Sequence, residues 1–211
     1  AEWLVSKEHP LTARVTVNRY WQTKFGRGLV KTADDFGMQG ALPTHPALLD
    51  WLAVDFMEND WDVKALLRQI VLSRTYQQSS KTSPELQETD AENKLLSRSP
   101  RYRLPSWMIR DQALSISGLL YDSIGGPAVK PYQPRGIWEE ATFGKKRYIQ
   151  DHDKALYRRS FYIYWRRIVG PTMFFDNSAR QICSVTPLLT NSPQHALITL
   201  NDVAYLEAAR V

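Results

Sequence analysis

The chain has 211 residues, of which 43% are hydrophobic and 23% are charged, the balance of an ordinary globular domain. This length predicts one domain with its own hydrophobic core. No stretch approaches the roughly 20 apolar residues of a bilayer-spanning helix, so we expect no transmembrane segment. A single cysteine, Cys183, excludes a disulfide within the chain.

The net charge of +5 is unevenly distributed. Residues 1–122 hold 15 basic and 15 acidic side chains, whereas residues 123–211 hold 12 and 7. Within the second half, residues 145–180 carry 9 basic and 3 acidic side chains. Such a stripe suits phosphate, a sulfated glycan or an acidic partner surface, and the alternative is a solvated face without a partner.

The first half predicts a series of helices. Apolar spacing indicates a helix over 11–24, followed by a loop over 26–44 that contains four glycines. Pro46 in the first turn then starts a second helix. Asp62 is expected to cap a third helix, in which residues 63–71 have the cleanest amphipathic pattern of the chain.

The middle of the chain is less regular. Residues 77–90 are polar and serine-rich, which favours a surface connection. A short helix is predicted over 91–98. Pro105 is expected to open a longer helix, closed by the Gly-Gly-Pro sequence at 125–127.

β structure is predicted only in the last third of the chain. Residues 128–156 show no clear periodicity, whereas 160–169 are β-branched and aromatic enough for a strand. Its partner is not evident from the pattern, and part of 128–132 is the candidate. Ser192 starts a final helical region, and Asp202 begins a second helical segment. The expected fold class is therefore mainly α, a helical single domain with a short β element near residues 160–169. It has a helical half over 1–122 and a mixed, basic and aromatic half over 123–211.

Three residues are candidates for catalysis: Asp34 and Asp35 in the glycine-rich loop, and His45 just before the second helix. Loop carboxylates bind Ca²⁺ or act as acid or base, and a histidine serves as a general base. The competing interpretation is that the aspartates cap a turn or pair with Arg27 or Lys31, and that His45 is a helix cap. No spacing matches an established metal site, so we predict none.

Other reactive residue types are interpreted as structural. The Asp-His-Asp sequence at 151–153 is expected to be an exposed turn, and Cys183 a buried thiol. The glycines at 26–28 follow a helix and not a strand, which fails the context of a dinucleotide-binding loop. We therefore expect no cofactor within the chain.

Seven tryptophans and ten tyrosines are a heavy aromatic load for this length. Aromatic faces beside arginine suit sugar rings or a protein partner, and the alternative is core packing. The predicted binding residues are Arg19, Trp21, Arg27, Trp138, Trp165 and Arg166.

Several segments, taken together and in this order, resemble one family. They read FGRGLVKTADDFGMQG at 25–40, RLPSWMIRDQALSISGLL at 103–120, GGPAVKPYQPRGIWEE at 125–140, LYRRSFYIYWRR at 156–167 and TNSPQHALITLND at 190–202. They are similar to domain-of-unknown-function family 1553, a planctomycete-type domain of exported proteins. Two departures are notable. Thr186, Pro187 and Leu189 stand where basic residues are usual, and Gln194-His195 replaces a leucine-glutamine pair, which argues against an anion contact in that strip.

The resemblance implies an exported protein, periplasmic or at the cell surface, and a mainly helical domain. It also implies that this chain is part of a larger parent, C-terminal to a second uncharacterised domain and often to a c-type cytochrome domain. Any haem would lie on that associated domain. The family has no established reaction, so none is implied here.

The leading hypothesis is a non-catalytic recognition or assembly module that binds polysaccharide or a neighbouring domain. One alternative is a glycan-active hydrolase that uses Asp34, Asp35 and His45, and another is a structural spacer domain. The basic charge also fits nucleic acid, but an exported location argues against it, so we expect no nucleic-acid partner.

Overall fold

The computed structural model describes residues 1–166, 168–176, 185 and 189–211. The chain divides into two compact units, 1–102 and 103–211. This boundary precedes the change in composition at 122/123, so the units differ from the two halves expected from charge. The single domain remains a prediction.

The helices of the first unit are α1 (Thr12–Phe25), α2 (Pro46–Glu58), α3 (Val63–Leu72) and α4 (Pro84–Thr89). α1 packs against α2 and α3. The core is formed by the apolar stripes of these helices and the start of the glycine-rich loop: Val17, Trp21, Phe25, Leu29, Val30, Leu49, Leu52, Phe56, Leu66 and Ile70. The three helices predicted over this region are confirmed.

Local signals explain where these helices begin and end. Gly26 ends α1 in the left-handed region, with φ of +73°, which costs glycine nothing. Pro46 occupies the first turn of α2. The Asp62 carboxylate accepts from the backbone N–H groups of Lys64 and Ala65 at 2.8 and 3.1 Å, which caps α3.

The prediction of a helix over 91–98 is wrong, because this segment is a series of turns. The helix lies earlier, as α4, where Ser83 caps the first turn by accepting from Leu86 N–H. The carboxylate of Asp90 then accepts from the N–H groups of Lys94 and Leu95 at 2.7 and 2.9 Å. These side-chain bonds fold the backbone into a loop instead of a helix.

The helices of the second unit are α5 (Ser106–Ile116), α6 (Ile137–Ala141), α7 (Pro193–Asn201) and α8 (Val203–Arg210). α5 packs against α8 and against a 3₁₀ turn at Ser160–Tyr162. The core contains Val129, Ile163, Met173, Phe174 and Tyr205. The predicted starts of α5, α7 and α8 are confirmed, but α5 ends at Ile116, well before the glycines at 125–127.

The β element is smaller than predicted. Residues 160–169 do not form a continuous strand. They begin with the 3₁₀ turn, and the parallel pairing of Val129 with Ile163 is an isolated bridge. Val129 N–H donates to Tyr162 O at 2.8 Å, and Tyr164 N–H donates to Val129 O at 2.7 Å. The predicted partner segment is therefore right.

Turns within the segment interrupt the ladder. Tyr162 N–H donates to Arg159 O at 2.9 Å, Ile163 N–H donates to Ser160 O at 3.2 Å, and Val169 N–H donates to Arg166 O at 3.1 Å. These backbone groups are therefore paired locally and not with a neighbouring strand. The segment before them is held by the buried guanidinium of Arg110, which donates to the carbonyls of Leu156 and Arg158 at 2.8 and 2.9 Å. The mainly helical fold class is confirmed. Within the described part of the chain, no helix has the length and apolar character needed to cross a membrane.

Candidate functional site

The glycine-rich loop is tied to α1 by a buried asparagine. The Asn18 side chain, fully buried, donates to Val30 O at 3.1 Å and accepts from Val30 N–H at 2.9 Å. A Cβ on Gly28 would lie 2.5 Å from Val30 O and 2.6 Å from Asn18 Nδ2, so a side chain does not fit there. This close approach fixes the loop beside the C-terminal end of α1, where Arg27 is located.

A second loop, residues 90–102, faces this one. Besides the two backbone bonds to Asp90, Arg98 Nη2 donates to the carbonyls of Asp90 and Ala91, both at 2.9 Å. Asn93 supports the turn in the left-handed region, with φ of +51°, and its Nδ2 donates to Arg98 O at 2.8 Å. Side chain and backbone therefore hold each other in one conformation.

Between the two loops lies a cavity of about 340 Å³. Four basic side chains line it, together with one carboxylate, Glu92. The basic residues are Arg27, Lys94, Arg98 and Arg101. The wall therefore carries a net positive formal charge, and we call this cavity the cationic cavity.

Glu92 is the internal partner of these cations. Its carboxylate pairs with Arg27 and lies 3.6 Å from Lys31 Nζ and 3.8 Å from Lys94 Nζ. The attraction of Arg27, Lys31 and Lys94 lowers the pKa of Glu92 below its usual value. The pair shows that a carboxylate fits against the Arg27 guanidinium.

Two guanidinium nitrogens at the cavity remain unpaired. Arg27 Nε and Arg98 Nη1 are buried and have no hydrogen-bond partner among the described residues. A buried N–H without an acceptor costs about 1–3 kcal/mol, and more when the group is charged. Because these two atoms have almost no accessible surface, an anionic group in the cavity would meet the other N–H groups of Arg27 and Arg98.

The remaining wall is aromatic and apolar. Trp21 and Phe25 stack at 4.2 Å between ring centroids and both line the cavity. The Tyr102 ring packs on Gly26, where a Cβ would lie 3.1 Å from the ring. Burial raises the pKa of Tyr102, and its hydroxyl donates to Thr23 O. A ligand here meets flat apolar surface next to cationic donors.

The predicted catalytic residues do not line this cavity. Asp34 is exposed, whereas Asp35 Oδ1 accepts from Gly37 N–H at 2.7 Å and so holds a turn of the loop. His45 stands at the N-terminal end of α2, with Nδ1 3.0 Å from Thr44 Oγ1. In the described residues, no group of three or more His, Cys, Asp and Glu side chains is arranged to hold a metal ion.

The predicted binding residues of the first unit are partly brought together. Trp21 and Arg27 both line the cationic cavity, although Trp21 is also a core residue at 4% exposure. Arg19 is exposed on α1 and does not line the cavity. The structure therefore joins two of the three.

In the second unit, Trp138 is buried, at 4% exposure. Its Nε1–H donates to Gln133, its ring lies 5.8 Å from that of Tyr164, and the Arg166 guanidinium lies 5.9 Å above it. Trp165 is half-buried and its ring lies 5.8 Å from that of Phe174. Trp138 thus serves mainly the core, which was the alternative interpretation of the aromatic load.

Other residues singled out in the sequence have local roles or lie elsewhere. His195 forms a capping box with Ser192 at the start of α7. In the Asp-His-Asp sequence, Asp151 accepts from Lys130 N–H at 2.7 Å, while His152 is exposed. Cys183, Thr186 and Pro187 lie outside the described residues.

Three cavity residues were not predicted: Lys94, Arg98 and Arg101. A signal for them exists, because residues 93–110 contain five basic and no acidic side chains. This local excess of basic residues is not apparent over residues 1–122 as a whole, because the basic and acidic side chains balance there. The contact between this segment and Arg27 depends on the tertiary fold.

Among known proteins, the chain is similar to the members of one family. The model of the family described as PSD1, Protein of unknown function (DUF1553), matches residues 1–211. The chain therefore belongs to this family, which confirms the resemblance seen in its motifs. No curated protein and no solved structure matches the chain.

Proposed function

We propose that this member of a family of unknown function is a non-catalytic recognition module whose first unit binds an acidic saccharide in the cationic cavity. The observation that carries the proposal is the wall of four basic side chains around one carboxylate. The same proposal includes that the chain is part of an exported, multidomain protein, with or without a cytochrome domain.

The cavity has the size of a small-ligand site. A volume of about 340 Å³ lies at the lower end of the range of roughly 300–1,000 Å³ that such sites occupy. It suits one sugar ring with its acidic substituent, while the rest of a polysaccharide stays outside. Tyr102, which is half-buried, supplies apolar surface for the C–H face of the ring, and the edges of the core residues Trp21 and Phe25 extend that surface.

The charged groups select the acidic substituent. A guanidinium binds carboxylate or sulfate through parallel N–H donors, and such charge-assisted bonds are about twice as strong as neutral ones. Glu92 already takes one charge-assisted bond of this kind, because Arg27 Nη1 donates to its Oε2. A uronate or sulfate group of a ligand would take the same kind of contact with Arg27 and Arg98.

The hydrolase alternative receives less support from these contacts. Asp35 has its carboxylate engaged by Gly37 N–H, and His45 contacts Thr44. Neither lies in the wall of the cationic cavity. Recognition without catalysis therefore fits the described contacts better, and a pure spacer would not need a cavity lined by four basic side chains.

The test is calorimetric titration of the 211-residue chain with three probes: tetragalacturonate, a heparin-derived tetrasaccharide and neutral cellotetraose. We expect at least one acidic probe to bind about tenfold more tightly than cellotetraose, because one charge-assisted bond is worth about 1.5 kcal/mol or more. Arg101→Ala is a clean variant, since Arg101 is exposed and makes no described contact.

The matched control is Arg68→Ala, which removes an exposed arginine of α3 in the same unit but outside the cavity. Arg101→Ala and Arg27→Ala should weaken binding of the acidic probe, and Arg68→Ala should not. Equal affinity for acidic and neutral probes, or equal losses in all three variants, would contradict the proposal. Tighter binding of a single-stranded DNA oligomer than of any saccharide would also overturn it.

A further inference from the structure

A second cavity, of about 550 Å³, lies in the second unit at the junction of α7 and α8. Its wall is mostly apolar, with Leu197, Ile198 and Val203 as the main contributors. Asp202, which is the cap residue between α7 and α8, is the one charged residue of the described wall. An isolated carboxylate in apolar surroundings is the unusual feature of this site.

The polar atoms left free in this wall are acceptors. Asp202 Oδ1 accepts from Ala204 N–H at 3.0 Å, but Oδ2 has only a long contact of 3.4 Å with Thr172 Oγ1. Asn201 uses its Nδ2 to donate to Leu197 O at 2.7 Å, and no described hydrogen bond uses its Oδ1. Both free oxygens lie on consecutive residues.

The donors of the wall are already engaged. Tyr132 donates its hydroxyl to Glu207 Oε1 at 2.7 Å. Gln133 donates through Nε2 to Gly170 O at 3.3 Å and accepts from Trp138 through Oε1. A ligand must therefore bring its own donors, and a positive charge is favoured because no basic residue is among the described residues of the wall.

From these contacts we infer that the second unit binds a small organic amine, with its ammonium group at Asp202 Oδ2 and Asn201 Oδ1 and its apolar body against Leu197, Ile198 and Val203. An ammonium group supplies three N–H donors and no acceptor. It offsets the cost of a carboxylate in an apolar site, which is high when the charge is unpaired.

The burial of the Asp202 carboxyl group adds support. Burial raises the pKa of this carboxyl group, and the attraction of Arg110 and the hydrogen bonds to it only partly oppose that shift. A raised carboxyl pKa indicates that the charged form has too little compensation in the protein alone. A cationic ligand supplies the missing compensation.

The test is titration of the full chain with hexylammonium, 1-hexanol and hexanoate, followed by NMR chemical shifts and calorimetry. These probes share the apolar body and differ in the head group. We expect hexylammonium to bind about tenfold more tightly than hexanol, the size of one charge-assisted bond, and hexanoate to bind worst. Extending the chain from butyl to hexyl should also strengthen binding, because more CH₂ groups are buried.

Asp202→Asn removes the charge and keeps an Oδ1 for the α8 cap, since asparagine is as good an N-cap as aspartate. This variant should bind hexylammonium and hexanol equally. The control is Asp122→Asn, which removes an exposed carboxylate of the same unit that pairs with Arg159. The preference for ammonium should persist in that control.

Equal binding of hexylammonium and hexanol by the unchanged protein would overturn the inference, as would a preference that survives Asp202→Asn. If that variant does not fold by circular dichroism, Thr172→Val replaces it. This substitution removes the only contact of Asp202 Oδ2 within the described residues, so it should leave the ammonium preference intact or strengthen it. A loss of the preference in Thr172→Val would contradict the assigned role of Oδ2.

Discussion

Arg110 shows how one buried charge organises the second unit. It is 1% exposed, and its guanidinium donates to Leu156 O, Arg158 O and Ser160 Oγ. Burial lowers the pKa of Arg110, although the nearby charge of Asp111 opposes that shift. The cost of burial is offset by the three hydrogen bonds, which hold the segment that crosses α5.

We predict that Arg110→Met lowers the free energy of unfolding by about 3 kcal/mol, because the two carbonyls lose their donors in a buried site. Urea denaturation followed by circular dichroism measures the change. Arg135→Met is the matched control, since Arg135 is an exposed arginine of the same unit without a described contact. Equal stability of the two variants would show that Arg110 does not organise this segment.

Glu92 acts as a competitor within the cationic cavity. Its carboxylate pairs with Arg27, the same cation that we assign to the ligand. The variant Glu92→Gln keeps the shape of the side chain and removes its charge. We predict a threefold to tenfold tighter binding of a sulfated tetrasaccharide, about 0.7–1.4 kcal/mol, measured by calorimetry.

The control for this variant is Glu58→Gln, which removes an exposed carboxylate at the end of α2. Glu58→Gln should change the affinity for the tetrasaccharide little, because interactions between distant charges are screened at physiological salt. Weaker binding by Glu92→Gln would mean that Glu92 supports the site and does not compete for it.

The glycine-rich loop is an element whose shape depends on close backbone approach. Gly28 leaves no room for a Cβ beside Val30 O and Asn18, whereas a Cβ on Gly37 would approach only the Asp35 side chain, at 3.1 Å. We predict that Gly28→Ala destabilises the protein by about 1–3 kcal/mol, as overpacking does, and weakens saccharide binding by moving Arg27. Thermal unfolding and calorimetry on the same samples measure both effects.

Gly37→Ala is the paired control at the other end of the loop. It should cost about 1 kcal/mol or less and should leave saccharide affinity unchanged. If the two alanine variants behave alike, the loop does not depend on the contact between Gly28 and Asn18.

The helices whose ends were predicted correctly carry their own signals. Gly26, Pro46 and Asp62 each act within one turn, so the chain near them is enough to locate α1, α2 and α3. The helix expected over 91–98 failed because the Asp90 carboxylate offers the backbone other partners. The strand expected near 160–169 failed because the segment begins with a 3₁₀ turn, whose backbone bonds run from Tyr162 N–H to Arg159 O and from Ile163 N–H to Ser160 O.

Only some residues of the cationic cavity were predictable from the sequence. Trp21 and Arg27 stood out because they flank a helix end and a glycine-rich loop. Arg98 and Arg101 did not, because their place opposite Arg27 results from the folding of residues 90–102 around Asp90. Asp35 and His45 have the residue types of a catalytic site, but the type alone does not bring such side chains to one cavity.

The whole molecule consists of two units that each have a hydrophobic core. The cationic cavity is lined by residues 21–102, which all belong to the first unit. A fragment of residues 1–102 therefore contains every residue that we assign to saccharide binding. Roughly 100 residues are enough for an independently folding domain.

We predict that fragment 1–102 unfolds cooperatively and keeps the preference for acidic over neutral tetrasaccharides, with an affinity within about threefold of the full chain. Fragment 1–122, which ends where the composition changes, is the comparison. It adds α5, whose Leu114 is 1% exposed in the full chain and whose Ile109 and Ala113 pack on the core of the second unit. Because this apolar surface loses its partners, the longer fragment should aggregate more readily in light scattering. A soluble, cooperative 1–122 and an unfolded 1–102 would place the true boundary at the change in composition.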